Sequence, residues 1–386
     1  MLIKDAIYLD ANAGIPLGAS VKQLLFSFLS ERSLFNPSSI HSRGRSAKRA
    51  LAEAREQVAL SFGPKVDPEQ VIFTSSGTEA NQLAIRSVLE LKLLSQATPH
   101  WVTTPVEHDS SCQMVSWWKA KGGSMSYLPV NEDGVPQVEA LEEVLKPETA
   151  LVSCIWVNNE TGVISDVSRL VEIAQSYSIP VHLDAAQAWG KIPLDLDAHG
   201  AQYVSFSAHK IGGLGGTGVL WTQKGNPVTP HLLGKQEKGR RGGTENLMGA
   251  ITAGAAASQL DPLAWVQSIE PLRDRLQDVI CSRIPGTQVN GGQAKRVANT
   301  LNLNFKGLKS DGLVMALDLE GYCVSSGSAC SSGALEPSHV LLAMGRSKSE
   351  AQAAIRVSLS EALSWEVFEN FILTLERAVT RLRQLP

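Results

Sequence analysis

In the segment Val181-His182-Leu183-Asp184-Ala185-Ala186-Gln187, a short, mostly apolar run ends at the carboxylate of Asp184. Such a run favours a strand, and ligands of open α/β sheets bind at the carboxyl ends of the strands. The segment Ser205-Phe206-Ser207-Ala208-His209-Lys210 repeats the arrangement, with a lysine just after an apolar strand. Asp184 and Lys210 are 26 residues apart (210 − 184 = 26), which fits one strand–helix–strand step. We therefore expect both side chains at one edge of a mostly parallel sheet, although a helix cap or a loop carboxylate is the alternative for Asp184.

The same alternation of short apolar runs with longer helical stretches extends along most of the chain. It is typical of an α/β fold in which helices connect the strands of a mostly parallel sheet. Helices are predicted at about 46–61 and 79–94, where apolar residues recur at helical spacing. We predict strands at 71–74, 101–104, 151–157, 181–184, 203–207 and 218–222.

The segment Leu260-Asp261-Pro262 is a predicted domain boundary. After it come a predicted helix, a strand at 300–305, a helix at 311–319, a cysteine-containing loop and a terminal helix at about 365–385. We predict a large domain over residues 15–260 and a smaller α/β domain built from 1–14 and 261–386. The small domain would carry the cysteine loop at about 324–334.

Composition and charge argue against several classes of protein. Of the 386 residues, 43% are hydrophobic and 19% are charged, which fits a globular protein of about two domains. The formal net charge of −3 gives no electrostatic reason to bind nucleic acid or an anionic membrane. The apolar runs are shorter than the roughly 20 residues that a membrane span needs. We therefore expect no nucleic-acid or membrane partner.

The cysteines and the amino terminus bear on the compartment. The five cysteines are scattered, odd in number and without a C-x-x-C pair, so neither a disulfide framework nor a structural zinc site is expected. The amino terminus has an early acid followed by a predicted strand, and it does not resemble a signal peptide. These features predict a cytoplasmic protein.

A carboxylate and a lysine at one sheet edge match the needs of pyridoxal 5′-phosphate (PLP). The lysine would form the Schiff base, and the carboxylate would keep the pyridine nitrogen protonated so that the ring acts as an electron sink. The run 71–79 adds a strand, a turn at Gly77 and a helix start, whose free N–H groups favour a phosphate. Thr78, Ser207 and His209 are candidate donors to it. An ordinary capped helix is the alternative for this turn.

Three more polar residues follow or interrupt predicted strands. His108 follows the strand at 101–104 and could stack on a flat ring and shuttle protons, with a surface histidine as the alternative. Asn159 follows the strand at 151–157 and either hydrogen-bonds a ring oxygen or shapes a turn. Arg356 lies within an apolar run, where an unpaired cation is costly. A substrate carboxylate or a structural salt bridge would supply its partner.

The run Gly213-Leu214-Gly215-Gly216-Thr217-Gly218 formally matches the G-x-G-x-x-G dinucleotide pattern. That pattern has to follow a strand and open a helix, whereas this run follows the lysine turn and leads into a predicted strand. We therefore interpret it as a flexible turn. The histidines show no ligand spacing such as H-x-x-x-H, so no metal site is predicted.

The stretch Ser325-Ser326-Gly327-Ser328-Ala329-Cys330-Ser331-Ser332-Gly333 places one cysteine among small, hydroxyl-bearing residues. Such residues offer little apolar surface and favour an exposed, mobile loop. An accessible thiolate is a strong nucleophile, so Cys330 is a candidate catalytic residue. A surface turn with an incidental cysteine is the alternative.

Taken together, these segments resemble the cysteine desulfurases, PLP enzymes of the class V aminotransferase group. The resemblance spans nearly the whole chain and implies a type I PLP-dependent transferase fold, with a mostly parallel seven-stranded sheet flanked by helices plus a smaller α/β domain. The cysteine loop is similar to that of the long-loop branch, which is typified by sulfur donors for iron–sulfur clusters and the nitrogenase cofactor. The motifs that carry the resemblance include Asn36-Pro37-Ser38-Ser39-Ile40-His41, Gly77-Thr78-Glu79-Ala80-Asn81, Val157-Asn158-Asn159-Glu160-Thr161-Gly162, Asp184-Ala185-Ala186-Gln187, Ser207-Ala208-His209-Lys210, Arg241-Gly242-Gly243-Thr244-Glu245-Asn246 and Leu335-Glu336-Pro337-Ser338-His339-Val340.

The resemblance implies a role for each candidate residue. Lys210 would be the Schiff-base lysine, Asp184 the partner of the pyridine nitrogen, and His108 the residue stacked on the ring. Arg356 would hold the substrate carboxylate, and Cys330 would take the sulfur. The remaining cofactor contacts that it implies are Gln187 and Asn159 at the ring oxygen, and Gly77, Thr78, Ser207, His209 and Thr244 of the partner subunit at the phosphate.

The implied activity is that of a sulfurtransferase. Sulfur would be removed from L-cysteine to leave L-alanine and a persulfide on Cys330. The persulfide would pass to an acceptor, such as an iron–sulfur scaffold protein, for cluster or other cofactor biosynthesis. The resemblance also implies a homodimer. The carboxyl-terminal extension that some relatives use to dock a scaffold is expected to be short or missing, which leaves scaffold docking open.

Two other functions remain as alternatives. A cysteine or cystine lyase on the same fold would give pyruvate, ammonia and sulfide or persulfide, and it would not need Cys330. A non-catalytic binding protein on the same fold is the other. The joint presence of Lys210, Asp184, His108, Arg356 and Cys330 argues against that last function.

Overall fold

A computed structural model of the chain describes residues 6–31, 35–95, 98–326 and 336–384. Its strands are β1 (Ile7–Tyr8), β2 (Val71–Thr74), β3 (His100–Thr103), β4 (Ser124–Tyr127), β5 (Thr149–Ile155), β6 (Val181–Asp184), β7 (Tyr203–Ser207), β8 (Gly218–Thr222), β9 (Thr287–Val289), β10 (Thr300–Phe305), β11 (Tyr322–Cys323), β12 (Ser325–Ser326) and β13 (Ala354–Ser358). Its helices are α1 (Ala19–Glu31), α2 (Ser42–Phe62), α3 (Gly77–Leu93), α4 (Asp109–Ala120), α5 (Leu141–Val144), α6 (Val167–Ser176), α7 (Leu196–His199), α8 (Leu247–Ala257), α9 (Pro262–Arg283), α10 (Ser310–Leu319), α11 (His339–Ala343), α12 (Lys348–Ala351) and α13 (Trp365–Arg383). Short 3₁₀ turns lie at Pro68–Gln70, Val138–Ala140, Ala208–Lys210 and Gln236–Gly239.

A seven-stranded sheet has the strand order β2-β8-β7-β6-β5-β3-β4. The strands from β7 to β4 in this order are parallel to their neighbours, whereas β8 is antiparallel to both β2 and β7. The predicted mostly parallel sheet is therefore confirmed. Strand β6 pairs directly with β7, with Asp184 opposite Ser205, so the carboxyl ends of these strands lie at the same edge.

Helices cover both faces of this sheet, because alternate strand side chains enter different buried clusters. On β2, Val71 and Phe73 belong to a cluster with residues of α2, α6 and α8. Ile72, between them, belongs to a cluster with residues of α3 and α4. Strands buried on both faces appear in a sequence as continuous apolar runs, which is why most of these strands are predictable.

The sequence analysis missed strand β4, at the edge of the sheet. Its residues are only partly buried and Tyr127 is 47% exposed, so the segment lacks the apolar run of a central strand. Strands β3 and β5 begin slightly earlier than predicted, at His100 and Thr149. These two buried polar side chains hydrogen-bond each other at 2.9 Å between Nδ1 and Oγ1, which lets polar residues occupy interior strand positions.

A second, antiparallel sheet has the order β12-β13-β10-β9. Residues of this sheet and of α9, α10 and α13 share a buried cluster separate from those of the large sheet. Strand β1 pairs with β11, and Leu9 is buried in the same cluster, so the amino-terminal segment packs with this part of the chain. Helix α9 begins at the predicted boundary, where Asp261 caps it and Pro262 is its first residue.

The long helices lie where apolar periodicity predicts them. In α13, for example, Phe368, Phe371 and Leu375 are buried, whereas Glu369 and Arg377 are exposed. Across the ranges given above, no helix combines the length and the apolar character that crossing a bilayer requires.

Candidate active site

A cavity of about 350 Å³ lies at the carboxyl edge of the large sheet, between that sheet and β13. It contains both Asp184 and Lys210, so the expectation that these side chains share one sheet edge is confirmed. The residues predicted for the site that line this cavity are Gly77, Thr78, His108, Asn159, Asp184, Gln187, Ser207, His209, Lys210 and Arg356.

Asp184 is the last residue of β6 and is 4% exposed. Its carboxylate accepts two hydrogen bonds, from Asn81 Nδ2 to Oδ2 at 2.7 Å and from the Ala186 N–H to Oδ1 at 3.0 Å. The bond from the Ala186 N–H resembles a cap, as the helix-cap alternative predicted. The side chain nevertheless lines the cavity. The carboxylate is therefore held in place by its own strand end and by α3.

Lys210 ends the 3₁₀ turn Ala208–Lys210 that follows β7. Its Nζ atom donates to the backbone oxygens of Asn12 at 2.6 Å and Ala13 at 3.0 Å. Both acceptors are uncharged backbone carbonyl oxygens, and these two bonds hold the amine at the cavity. An amine so placed is within reach of a ligand that enters the same cavity.

The amino terminus of α3 supplies the predicted anion cradle. Ser76 caps the helix by accepting a hydrogen bond from the Glu79 N–H at 3.1 Å, and Gly77 is the first helical residue. A Cβ atom at Gly77 would lie 3.1 Å from Cβ of Ser207, so this close approach of α3 to β7 favours glycine. The helix start thus brings free N–H groups and the Ser207 hydroxyl together.

His209 adds an uncharged donor to this cradle. Its Nδ1 lies 2.9 Å from Ser207 Oγ. Burial, helped by the nearby charges of Lys210 and His108, lowers the pKa of His209 to about 4. The imidazole is therefore neutral at neutral pH, and it contributes a hydrogen bond rather than a charge.

His108 is oriented by a chain of hydrogen bonds that reaches Asp184. It caps α4, with Nδ1 accepting from the Ser110 N–H at 3.1 Å and lying 2.8 Å from Ser110 Oγ. That hydroxyl accepts from Asn81 Nδ2 at 2.8 Å, and the same nitrogen donates to Asp184. One carboxamide therefore links the histidine and the carboxylate, and the surface-histidine alternative does not hold, because His108 lines the cavity.

Arg356 is the central residue of β13 and is 2% exposed. Its guanidinium forms an ion pair with Asp10, at 2.6 Å from Nη2 to Oδ1, and donates from Nη1 to the Asn159 backbone oxygen at 2.9 Å. The salt-bridge alternative for Arg356 is thus present in the structure. The same side chain also lines the cavity.

Three buried polar atoms of the cavity have no hydrogen-bond partner within the described part of the chain. They are Oδ1 of Asn81, Oδ1 of Asn159 and Nε of Arg356. Burying such atoms unpaired costs free energy, so each unpaired atom needs an explanation. A polar ligand in the cavity would provide the missing partners.

The described residues do not test two of the predicted contacts at this cavity. Thr244 is exposed in the segment between the 3₁₀ turn Gln236–Gly239 and α8, and it does not line the cavity of its own chain. Cys330 lies outside the residues that the structure describes. Both therefore remain predictions.

A neighbouring cavity of about 450 Å³ shares His108 and Asn159 with the first. It is lined in part by Cys112, whose Sγ is 3.7 Å from His339 Nε2. Burial, with the nearby Glu107 carboxyl, raises the pKa of the Cys112 thiol to about 12. A buried thiol that rarely ionises is a poor nucleophile, which favours Cys330 over Cys112 as the candidate nucleophile.

Sequence reasoning missed three buried residues of this region: Asn12, Asn81 and Lys191. Asn12 and Asn81 line the cavity, and the Lys191 Nζ atom donates to Asn12 Oδ1 at 2.7 Å and to Gln187 Oε1. The available signal was weak, namely a lysine within the mostly apolar segment that follows β6. The partners of Asn12 come from distant parts of the chain, and apolar periodicity does not report such pairings.

Comparison with known proteins gives a consistent result along the whole chain. The family profile of aminotransferase class-V matches residues 7–366. A cysteine desulfurase of Cereibacter sphaeroides is 39% identical over 383 residues, covering 99% of this chain and 97% of that protein. The cysteine desulfurase IscS of Dictyoglomus turgidum is 37% identical over 386 residues, covering 99% of this chain and 97% of that protein.

A solved structure of a NifS-like protein superposes with a TM-score of 0.90 at 31% identity, covering 98% of this chain and 100% of that one. Fold, site position and sequence similarity thus agree, and the predicted type I architecture is confirmed. The chain belongs to the class V aminotransferase family, and within it to the cysteine desulfurases.

Proposed function

We propose that this protein uses PLP to remove sulfur from L-cysteine, giving L-alanine and a persulfide on Cys330. The observation that carries the proposal is the single cavity lined by Lys210, Asp184 and the amino terminus of α3. It offers an amine, a carboxylate and an anion cradle to one ligand, which is the donor set that PLP requires. Membership of the cysteine desulfurase family supports the choice of substrate.

PLP would be held at both ends of its ring. The α3 amino terminus, with Gly77 and Thr78, and the side chains of Ser207 and His209 would bind the phosphate. Asp184 would pair with the pyridine nitrogen, and His108 would stack on the ring. Gln187 and Asn159 would donate to the ring oxygen from their amide nitrogens.

The substrate carboxylate would bind Arg356. The Nε–H group of its guanidinium has no hydrogen-bond partner within the described residues, while Asp10 and the Asn159 backbone oxygen hold the two Nη atoms. A guanidinium already fixed by two partners loses little further freedom when it binds a carboxylate. The ion pair with Asp10 therefore positions Arg356, and it does not take the place of the bond to the substrate carboxylate.

The remaining steps concern the protein's own groups. When bound, PLP would take up the electron pair left at the substrate Cα. The neutral amine of Lys210 is the base that removes the Cα proton, and the Cys330 thiolate attacks the substrate sulfur. The carbon–sulfur bond breaks as the sulfur–sulfur bond forms, and the carbon product gains a proton and leaves as L-alanine. L-cysteine plus thiol gives L-alanine plus persulfide, so no added oxidant or reductant is needed.

The wider context is proposed from the sequence and from the family resemblance. We propose a large domain over residues 15–260 and a small domain built from 1–14 and 261–386. The working form would be a homodimer in which Thr244 of the partner subunit contacts the phosphate. The persulfide would pass to a sulfur acceptor, such as an iron–sulfur scaffold, in the cytoplasm, where thiols stay reduced.

Two labelling experiments test the assignment of residues. Borohydride reduction of the PLP-loaded protein, followed by peptide mapping, should place the cofactor on Lys210 and leave Lys191 unmodified. Alkylation after a single turnover with L-cysteine should reveal one additional sulfur on the Cys330 peptide. A label on Lys191, or a persulfide on Cys112 in place of Cys330, would contradict the proposal.

A further inference from the structure

Lys191 is a buried lysine that has no role in the reaction steps proposed above. It lies in the turns that follow β6, four residues after Gln187, and is only 2% exposed. Burial of a lysine is costly unless its donors have partners. Within the described residues, its Nζ atom donates to two uncharged amide oxygens, Asn12 Oδ1 at 2.7 Å and Gln187 Oε1.

The surroundings of Lys191 favour its N–H donors rather than its charge. Burial, and the positive charges of Lys210 and Arg356, lower the pKa of Lys191 well below its usual value. The two observed bonds need only two N–H groups, which the neutral amine and the ammonium both possess. The interaction therefore persists whichever form is present.

The two contacts of the Gln187 carboxamide define its orientation. Lysine nitrogen has N–H groups to donate, so the atom of Gln187 that faces Lys191 is the oxygen. The other atom, Nε2, then donates to the backbone oxygen of Asn12 at 2.9 Å, and a carbonyl can accept only from a donor. The two contacts agree on one orientation, and the second hydrogen of Nε2 remains for a ligand in the cavity that Gln187 lines.

Asn12 connects this arrangement to Lys210. Its backbone oxygen accepts from both Gln187 Nε2 and Lys210 Nζ, at 2.9 and 2.6 Å. Its side chain is held by Lys191 and by a bond from Nδ2 to Thr300 Oγ1 at 2.9 Å. Lys191 therefore contacts two residues that themselves line the cavity.

We propose that Lys191 is a positioning residue, which fixes the carboxamide of Gln187 so that an N–H group, and not the carbonyl, faces the ring oxygen of PLP. The inference rests on the proposed function, because the acceptor is an oxygen of that cofactor. Without Lys191, only the bond from Nε2 to the Asn12 backbone oxygen would hold the carboxamide in this orientation. A carboxamide held by one bond instead of two would be less firmly oriented, and a flip would set its oxygen against the ring oxygen, which would repel it. No direct contact between Lys191 and the cofactor is required.

The first test compares Lys191→Met with Lys119→Met. Methionine approximates the length of lysine without its donors, and Lys119 is exposed on α4, so its variant controls for the loss of a positive charge. The PLP-loaded proteins are dialysed to determine PLP affinity, and the absorption spectrum of bound PLP is recorded. Loss of one hydrogen bond predicts about tenfold weaker PLP binding and a shifted spectrum for Lys191→Met. Lys119→Met should match the unmodified protein.

A double-mutant cycle separates positioning from general damage. If Lys191 acts through Gln187, Lys191→Met should have little further effect on PLP affinity in a Gln187→Met background. Equal losses in both backgrounds, or an unchanged affinity and spectrum in Lys191→Met alone, would overturn the proposal. Should Lys191→Met fail to fold, Lys191→Gln keeps an N–H donor and should retain part of the affinity, and its full loss would also count against the proposal. Failure of the unmodified protein to bind PLP would instead refute the proposed function.

Discussion

The orientation of Asp184 depends on donors that a strand pattern does not predict. Asn81 uses both hydrogens of one nitrogen, one for the Asp184 carboxylate and one for Ser110, which in turn contacts His108. These bonds hold the acid and the imidazole in fixed positions before any ligand binds. Preorganised polar groups of this kind are worth most where water is excluded.

The role of the Asp184 side chain predicts that the Asp184→Asn variant folds but loses most activity. Asparagine can still accept from the Ala186 N–H, yet it cannot carry the negative charge that a protonated pyridine nitrogen needs. We expect the rate of alanine formation to fall on the order of a hundredfold. The control is Asp195→Asn, because Asp195 caps α7 at an exposed position where asparagine caps equally well. Equal activity of the two variants would refute the role of Asp184.

At the scale of elements, the strands that position the site are mostly predictable. The central strands β6 and β7 are short, buried and rich in apolar residues, and their order follows from the strand–helix–strand step between Asp184 and Lys210. Edge strand β4 escapes this reasoning, because half-exposed residues such as Tyr127 carry no apolar pattern. The Lys191 and Asn12 contacts escape it as well, since they join residues far apart in the chain.

The glycine-rich run before β8 gives an element-scale prediction about stability. A Cβ atom at Gly218 would lie 2.2 Å from backbone atoms of Ser76, whereas Gly215 has nothing within 4 Å. Gly218→Ala should therefore push β8 away from the cap of α3 and destabilise the fold by about 1–3 kcal/mol. Gly215→Ala should be close to neutral. Urea denaturation of the two variants tests this, and similar midpoints would contradict the packing described.

The contact between Glu160 and Ser338 gives a prediction about pH. Ser338 Oγ donates to Glu160 Oε2 at 2.5 Å and caps α11, and burial raises the pKa of Glu160 to about 7. In the unfolded chain this carboxyl ionises near its ordinary pKa, so between about 4.5 and 7 the unfolded state binds fewer protons and stability falls as pH rises.

Glu160→Gln is uncharged at every pH and removes this penalty. Relative to the unmodified protein, it should gain up to about 3 kcal/mol in free energy of unfolding as pH rises from 4.5 to 7, and little more above 7. Denaturation at a series of pH values measures the difference. A difference between the two proteins that does not change with pH would show that Glu160 is ionised throughout.

At the scale of the whole molecule, the cavity lies where two sheets and the amino-terminal segment meet. Asp184 and Lys210 come from the large sheet, Arg356 comes from β13, and Asp10 and Asn12 come from the segment after β1. The sequence predicts the residues of the large sheet from their strand ends. The sequence does not decide whether Arg356 binds a substrate carboxylate or forms a salt bridge within the protein. Residue type alone does not identify which distant carboxylate lies opposite the guanidinium.

The proposed dimer predicts that active sites are shared between subunits. Thr244→Glu would set a carboxylate against the phosphate of the partner's site, and Lys210→Ala would disable its own site. Each variant alone should be nearly inactive. After mixing and subunit exchange, about a quarter of the sites would have both residues intact and should be active. No recovery, despite exchange shown by native mass spectrometry, would contradict a shared site.

The most direct test of the central claim is a product assay with L-cysteine, PLP and a thiol reductant. Alanine, pyruvate and sulfide are quantified for the unmodified protein and for Cys330→Ala. We expect alanine equal to sulfide, with both lost in Cys330→Ala because the sulfur has no thiolate to receive it. Pyruvate as the main product, unchanged in Cys330→Ala, would contradict it and would identify a lyase with an incidental cysteine.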